Sequence, residues 1–194
     1  MGRTYRRRSR AALEKLLRER NVLIITFMGD LPLHAGTGVS IMEDLKVKIS
    51  VTVLPGDYTC DGEDRSPEID VGGVNTKKSK CLAIMVNDPD APGGGGFIHW
   101  IAWNMELVKM IPERIPKTLE VTFPIKAVQG TNSFGTIGYA GPCPPKGQTH
   151  RYFFKVYGLD TELPLKAGAT KNQFVAALQG HVVQYGETYV TYGR

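Results

Sequence analysis

The stretch NDPDAP places two carboxylates, Asp88 and Asp90, on either side of Pro89, with a second stiff proline, Pro92, two residues on. Four glycines follow, Gly93–Gly96, and then FIHWIAWN carries His99. A second histidine, His150, begins HRYFFKVYGLD, two residues before Tyr152. Two Asp and two His suit a metal such as Mn, Fe or Zn. An Asp–His pair also suits acid–base catalysis. A third chemistry is anion binding. Imidazoles, a tyrosine hydroxyl and loop N–H groups donate to a phosphate or carboxylate, while the aspartates set the histidines' tautomers and orientation. The plainest alternative is structural: the aspartates cap a turn and the histidines are satisfied core residues. No nucleophile stands out. There is no GxSxG, and Cys143, in a proline loop, is a weak candidate.

Strands must position these groups. KVKISVTV (Lys46–Val53) alternates, with Val47, Ile49, Val51 and Val53 on one face, and predicts a half-buried strand. KCLAIMVN (80–87) and FIHWIAWNM (97–105) are continuous apolar runs of strand length, the pattern of strands covered on both faces. Alternation puts His99 with Phe97, Ile101 and Trp103. LEVTFPI (119–125) predicts another strand. In HRYFFKVYGLD, His150, Tyr152, Phe154 and Val156 share a face. Thr170 and Gln173 form a capping box that opens a helix over NQFVAALQGHVV (172–183). GETYVTYGR is strand-like. Helices do not alternate with strands, so the reading is mostly β: an antiparallel sandwich of two sheets with small peripheral helices.

Composition allows one domain with a real core: 42% of the 194 residues are hydrophobic and 22% charged. The net charge of +5 is uneven. Residues 1–20 hold eight Lys/Arg and two Glu, a charge of +6, which leaves −1 for the rest. The basic tail lacks aromatic interleaving or a reader motif, so a solvated extension with a short helix over SRAALEKLLRER is preferred to nucleic-acid binding. The run VLIITFM is too short for a membrane span or a typical signal core, and Arg6 breaks the myristoylation pattern after Gly2. No transmembrane segment and a cytoplasmic location are therefore expected. The organisation expected is an extension over 1–40 and one domain over 41–194. Cys81, inside an apolar run, reads as core, and the absence of CxxC argues against a zinc site. His34 and His181 sit in no motif and read as surface or helix-packing residues.

Two blocks carry a resemblance to a known family. DPDAP (88–92) followed by H-W-x-x-x-N (99–104), and GYAGPCPPKGQTHRYFFKVYGLD (138–160), resemble the signatures of the phosphatidylethanolamine-binding proteins, also called the Raf kinase inhibitor protein family. YTCDGEDRSPEI (58–69) and the ending LQGHVVQYGETYVTYGR resemble its bacterial and archaeal branch. The match covers 41–194. Where the family commonly has a Trp shortly after the SP dipeptide, this chain has Val71. The resemblance implies a Greek-key sandwich and a small anion pocket. Carried over residue by residue, the pocket is Asp88, Asp90, Pro92, His99, Gly141, Pro142, His150 and Tyr152. It admits a cis Ala91–Pro92 bond. It implies loops near the pocket rim for Cys60 and Cys143, with both a disulfide and two free thiols left open.

The function expected is a non-enzymatic binder of phosphate-like or phosphorylethanolamine-like anions, acting as a regulator without a cofactor or metal. His99 and His150 donate to the anion, and Asp88 and Asp90 brace them. A homodimer is also consistent with the prokaryotic branch. The alternatives are inhibition of a serine protease or kinase, through the loop Val128–Gly141 or the segment Met28–Met42, and a metal-dependent hydrolase on the same cluster.

Overall fold

The computed structural model describes residues 43–194, so the expected tail helix, VLIITFM, His34 and Met28–Met42 lie outside the described residues. The second of the chain's two compact units runs Asp44–Arg194. Its elements are β1 (Glu43–Asp44), β2 (Lys46–Lys48), β3 (Ile69–Gly72), β4 (Cys81–Asp88), β5 (Phe97–Met105), β6 (Met110–Ile111), β7 (Glu120–Val121), β8 (Ala127–Gln129), β9 (Thr149–Leu159), α1 (Lys171–Leu178) and β10 (Val182–Gly193). They form a seven-stranded sheet, β1-β10-β9-β4-β5-β8-β7, and a three-stranded sheet, β2-β3-β6. The expected mainly-β, two-sheet architecture is the one observed.

The continuous apolar runs behave as double coverage requires. On one face of the large sheet Leu82, Ile84, Val86, Trp100, Ala102, Tyr152, Phe154 and Val156 join the core with Val47, Ile69 and Val71 of the small sheet. On the other, Phe174 of α1 packs against Trp103 (5.9 Å) and Tyr157 (6.4 Å). Val71 is fully buried on β3 at the place where the family pattern carries a Trp. The indole N–H of Trp100, on the core face, is satisfied. Trp100 Nε1 donates to Gln129 Oε1 at 2.7 Å, and Gln129 Nε2 donates to the carbonyls of Pro116 and Thr118. Without these bonds a buried indole and amide would each cost about 1–3 kcal/mol.

Four local expectations are corrected. The strand read over Lys46–Val53 ends at Lys48, because the chain changes partners. Lys46–Lys48 pair with β3, whereas Val53 bridges Thr191 of β10 in parallel and turns outward, 63% exposed. The strand read over 119–125 shrinks to Glu120–Val121, since Pro124 has no N–H for a ladder and Phe123 faces solvent. The helix ends at Leu178, because Gly180 adopts a left-handed φ of 80° and Val182 already pairs with Leu159. Thr170 and Gln173 do form its capping box.

The fourth correction concerns β5. Against β4 its register slips twice, between Leu82/Ile84 and between Val86/Asn87. Each slip inserts one extra β5 residue, the signature of a β-bulge. At the first, Asn104 takes a φ of 52°. Its side chain accepts from Leu163 N (2.8 Å) and donates to Leu163 O (3.1 Å), tying β5 to the loop that follows β9. At the second, Val86 opposes Trp100 and Asn87 opposes Ile98, so His99 is the extra residue. Strict alternation fails there. His99 packs against Tyr152, a core-facing residue of β9, with ring centroids 5.1 Å apart.

Asn104→Ala removes both bonds to Leu163 and puts a Cβ-bearing residue with no local hydrogen bond in the left-handed region. A destabilisation of about 1–3 kcal/mol is expected in urea unfolding. A variant as stable as the parent would mean that the Asn104–Leu163 bonds contribute nothing net.

Candidate functional site

Asp88 ends β4 with 3% of its surface exposed. Both carboxylate oxygens are engaged. Oδ1 accepts from Asp90 N at 2.8 Å, closing a turn, and Oδ2 accepts from His150 Nδ1 at 2.7 Å. The two readings of this aspartate, turn cap and histidine brace, therefore hold together. The turn takes its shape from this side chain–backbone bond. Ala91–Pro92 is trans, which corrects the cis bond that the resemblance admitted; the cis peptide among the described residues is Phe123–Pro124.

Asp90 has a different partner from the one expected. It accepts from Arg151 N and Nε at 2.9 Å and from Nη2 at 2.6 Å, and neither His99 nor His150 is among its hydrogen-bond partners. The Arg151 guanidinium holds its carboxyl down at about 2, against the opposing effect of burial. Alternation along β9 explains this split: Arg151 points away from the face that His150 and Tyr152 share.

His99, also 3% exposed, is held by backbone. Its Nδ1 lies 2.7 Å from the Ala140 carbonyl, which has no proton to give, so Nδ1 carries the hydrogen. Burial pushes its pKa below the ordinary histidine value, and the Ala140 carbonyl and the Asp88 charge oppose that shift. The neutral form is thereby favoured, with Nε2 as the unprotonated nitrogen. Phe97 (5.2 Å) and Phe134 (5.8 Å) flank the ring. Tyr152 stands between the two imidazoles, 5.1 Å from His99 and 6.5 Å from His150. Its hydroxyl is buried with no hydrogen-bond partner among the described residues, and burial beside Asp88 and Asp90 raises its pKa.

The wall is the loop after Tyr139. Gly141 N donates to Asp64 Oδ1 at 2.5 Å. A Cβ on Gly141 would lie 2.4 Å from the Tyr58 carbonyl and 2.7 Å from Thr59 Cα, so only glycine lets these two loops meet. Pro142 is buried and accepts from Cys60 N at 3.1 Å. Cys60 and Cys143 are joined by a disulfide, with Cα atoms 5.4 Å apart across 83 residues of sequence. Closing so long a loop stabilises a fold by roughly 2–5 kcal/mol. Pro92 is exposed, outside the buried cluster.

The structure thus gathers Asp88, His99, Gly141, Pro142, His150 and Tyr152, and leaves Asp90 and Pro92 at the rim. Four contributors were missed. Gln148, two residues before His150 on the same face, places Oε1 3.0 Å from His150 Nε2, where an incoming acceptor would sit. Its i, i+2 spacing was the signal available. Asp64, the Ala140 carbonyl and Phe134 come from distant loops and carry no local signal. His181 is on the surface, 3.0 Å from Asp160. Cys81 is buried, its thiol pushed up to about 11 mainly by that burial. Among the described residues no three His, Cys, Asp or Glu side chains are placed to hold a metal. No helix among them is long and apolar enough to cross a membrane. A groove lined by Lys46, Lys48, Asp70 and Lys109 lies on the small sheet and shares no residue with this cluster.

The sequence model described as phosphatidylethanolamine-binding protein matches residues 47–193. A UPF0098 protein of Pyrococcus abyssi is 51% identical over 142 residues, 73% of this chain and 79% of its own length. Its counterpart in Pyrococcus horikoshii is 52% identical, over 73% and 71%. Among solved structures, a phosphatidylethanolamine-binding protein homolog from Chlamydia trachomatis superposes with a TM-score of 0.69 at 33% identity, covering 78% of this chain and 99% of its own. E. coli YbcL, described as a member of the mammalian PEBP family, gives 0.70 at 30% identity, covering 77% and 98%.

The Asp90–Arg151 pair yields a pH prediction. A carboxyl whose folded pKa lies below its unfolded value of about 3.9 adds stability that is full above about pH 4 and lost as pH falls toward 2. The pair is partly solvent-exposed, so its contribution is at most about 1 kcal/mol. Asp90→Asn is expected to be less stable than the parent near neutral pH and equal to it near pH 2. Denaturant unfolding at both pH values checks this, and a constant difference would refute it.

Proposed function

Since the chain belongs to the phosphatidylethanolamine-binding protein family, we propose that its buried Asp88–His99–His150–Tyr152 cluster binds a small anionic group of the phosphate class, in a regulatory protein and not an enzyme. One observation carries this reading: a fully buried Tyr152 hydroxyl, without a hydrogen-bond partner among the described residues, sits between two imidazoles. A buried donor left unsatisfied costs about 1–3 kcal/mol, and an oxygen-rich ligand recovers that cost. His150 Nδ1 donates to Asp88, which orients the ring with Nε2 toward the ligand. Gln148 Oε1 fills that ligand position in the free protein and gives way to an anion oxygen. His99 presents an unprotonated Nε2. It meets a protonated phosphate oxygen directly, or takes a proton when a fully ionised group binds. The cluster supplies donors and a brace. Among the described cysteines one is buried with a raised pKa and two are tied in a disulfide, which supports binding over nucleophilic chemistry.

Isothermal titration tests this. Phosphorylethanolamine is expected to bind, His150→Ala to abolish binding, and Gln148→Ala to tighten it about threefold to tenfold by removing the internal competitor. Sulfate keeps a constant charge across the range. Its affinity is expected to rise from about pH 8 to about pH 5 as His99 gains its proton. No binding by the parent protein, or the same binding in His150→Ala, would reject the site.

A second reading, inhibition of a serine protease, has one specific observation behind it. Asn132 stiffens the loop that presents Phe134. Its Oδ1 accepts from the N–H groups of Phe134 and Thr136, and its Nδ2 donates to Thr136 Oγ1 and the Gly138 carbonyl. Phe134 is 50% exposed. A rigid loop with an exposed aromatic suits a protease with an apolar specificity pocket. Chymotrypsin-type activity is expected to fall at micromolar protein and to recover with Phe134→Ala. Full activity beside the parent protein would remove this reading.

A further inference from the structure

We infer that the Cys60–Cys143 disulfide is a thiol-exchange site with a fixed polarity: a small thiolate attacks Cys60, and Cys143 leaves. Both cysteines are exposed, unlike the buried Cys81. Their surroundings differ. Arg194 Nη1 lies 3.5 Å from Cys143 Sγ, in position to donate to a thiolate there. The guanidinium is held in place by its other nitrogen, with Nη2 2.9 Å from Asp61 Oδ1. Asp61 is fixed in turn by the Tyr192 hydroxyl at 2.6 Å. The Arg194 guanidinium is thus the charged group in contact with Cys143 Sγ, with Asp61 as its counter-ion, while Asp64 is engaged by Gly141 N.

Exchange rates depend on which sulfur is attacked and on how well the leaving thiolate is stabilised. The step balances without an outside oxidant. A low-molecular-weight thiol loses its proton to solvent. The thiolate's electron pair forms a bond to Cys60 Sγ, the Cys60–Cys143 bond breaks, and its electron pair departs on Cys143 Sγ beside Arg194. The products are a mixed disulfide at Cys60 and a thiolate at Cys143. Gly141 and Pro142 lie within two residues of Cys143, so this step releases one of the ties on the wall of the candidate anion site.

The test uses the whole chain with glutathione as the thiol. Iodoacetamide traps freed thiolates, and peptide mass mapping locates both groups. Glutathione is expected on Cys60 and the alkyl group on Cys143. Arg194→Gln keeps the backbone bond in which Gly147 N donates to Arg194 O. It is expected to slow exchange by roughly threefold to tenfold, and Arg194→Lys to restore most of the rate. Glutathione on Cys143, an even split between the sulfurs, or an unchanged rate in Arg194→Gln would each overturn the assignment. Phosphorylethanolamine binding plays no part in these readouts, so they stand apart from the anion-site reading.

Discussion

A carboxylate buried at the end of a strand dictates much of this site. Removing one partner from a buried charge pair costs about 3–5 kcal/mol, so Asp88 cannot be left without donors. It finds two: the N–H of Asp90 and the Nδ1–H of His150. The first folds the DPDAP segment back on itself. The second locks the end of β4 to the beginning of β9, just beyond the last ladder pair, Asn87 with Phe153. With the turn set, Asp90 reaches Arg151 on the outer face. With His150 oriented, Tyr152 falls between the two imidazoles.

The opposite side of the cluster depends on backbone geometry. A bulge at His99 turns its ring toward Tyr152, and the Ala140 carbonyl fixes its tautomer. That carbonyl is well placed only because the next residue is glycine, pressed against Tyr58 and Thr59 and tied to Asp64. The disulfide fastens the same two loops one turn further out. Hydrogen bonds, close packing and a covalent link thus converge on a wall of few residues. The result is a rigid, buried set of donors and acceptors, which matches the requirement for selective binding of a small polar group without large reorganisation.

The parts readable from sequence were those set by local pattern. Continuous apolar runs located β4 and β5, alternation located β9, and Thr170 with Gln173 located the start of α1. What escaped has physical causes. Alternation assumes an unbroken ladder, so the bulge at His99 separates that residue from Ile101 and Trp103, although it still meets Phe97. A pattern of period two also cannot show a change of partner, which is why Lys46–Val53 looked like one strand. Asp90 was assigned to a histidine because the DxD spacing says nothing about which side of β9 each carboxylate meets. Gln148 lay in plain view beside His150, but amides two residues before a histidine have no special meaning until the fold brings the ring nitrogen to them. The loop residues of the wall came from the family resemblance, not from any periodicity.

The proposed anion site requires that Asp88 brace His150 while His99 stays neutral until an anion arrives. Nitrogen NMR of the imidazole rings near neutral pH, with and without saturating sulfate, tests it most directly. His99 is expected to be neutral with its proton on Nδ1 in the free protein and to convert to the charged ring when sulfate binds. A His99 already charged in the free protein, or ring signals indifferent to sulfate, would contradict it.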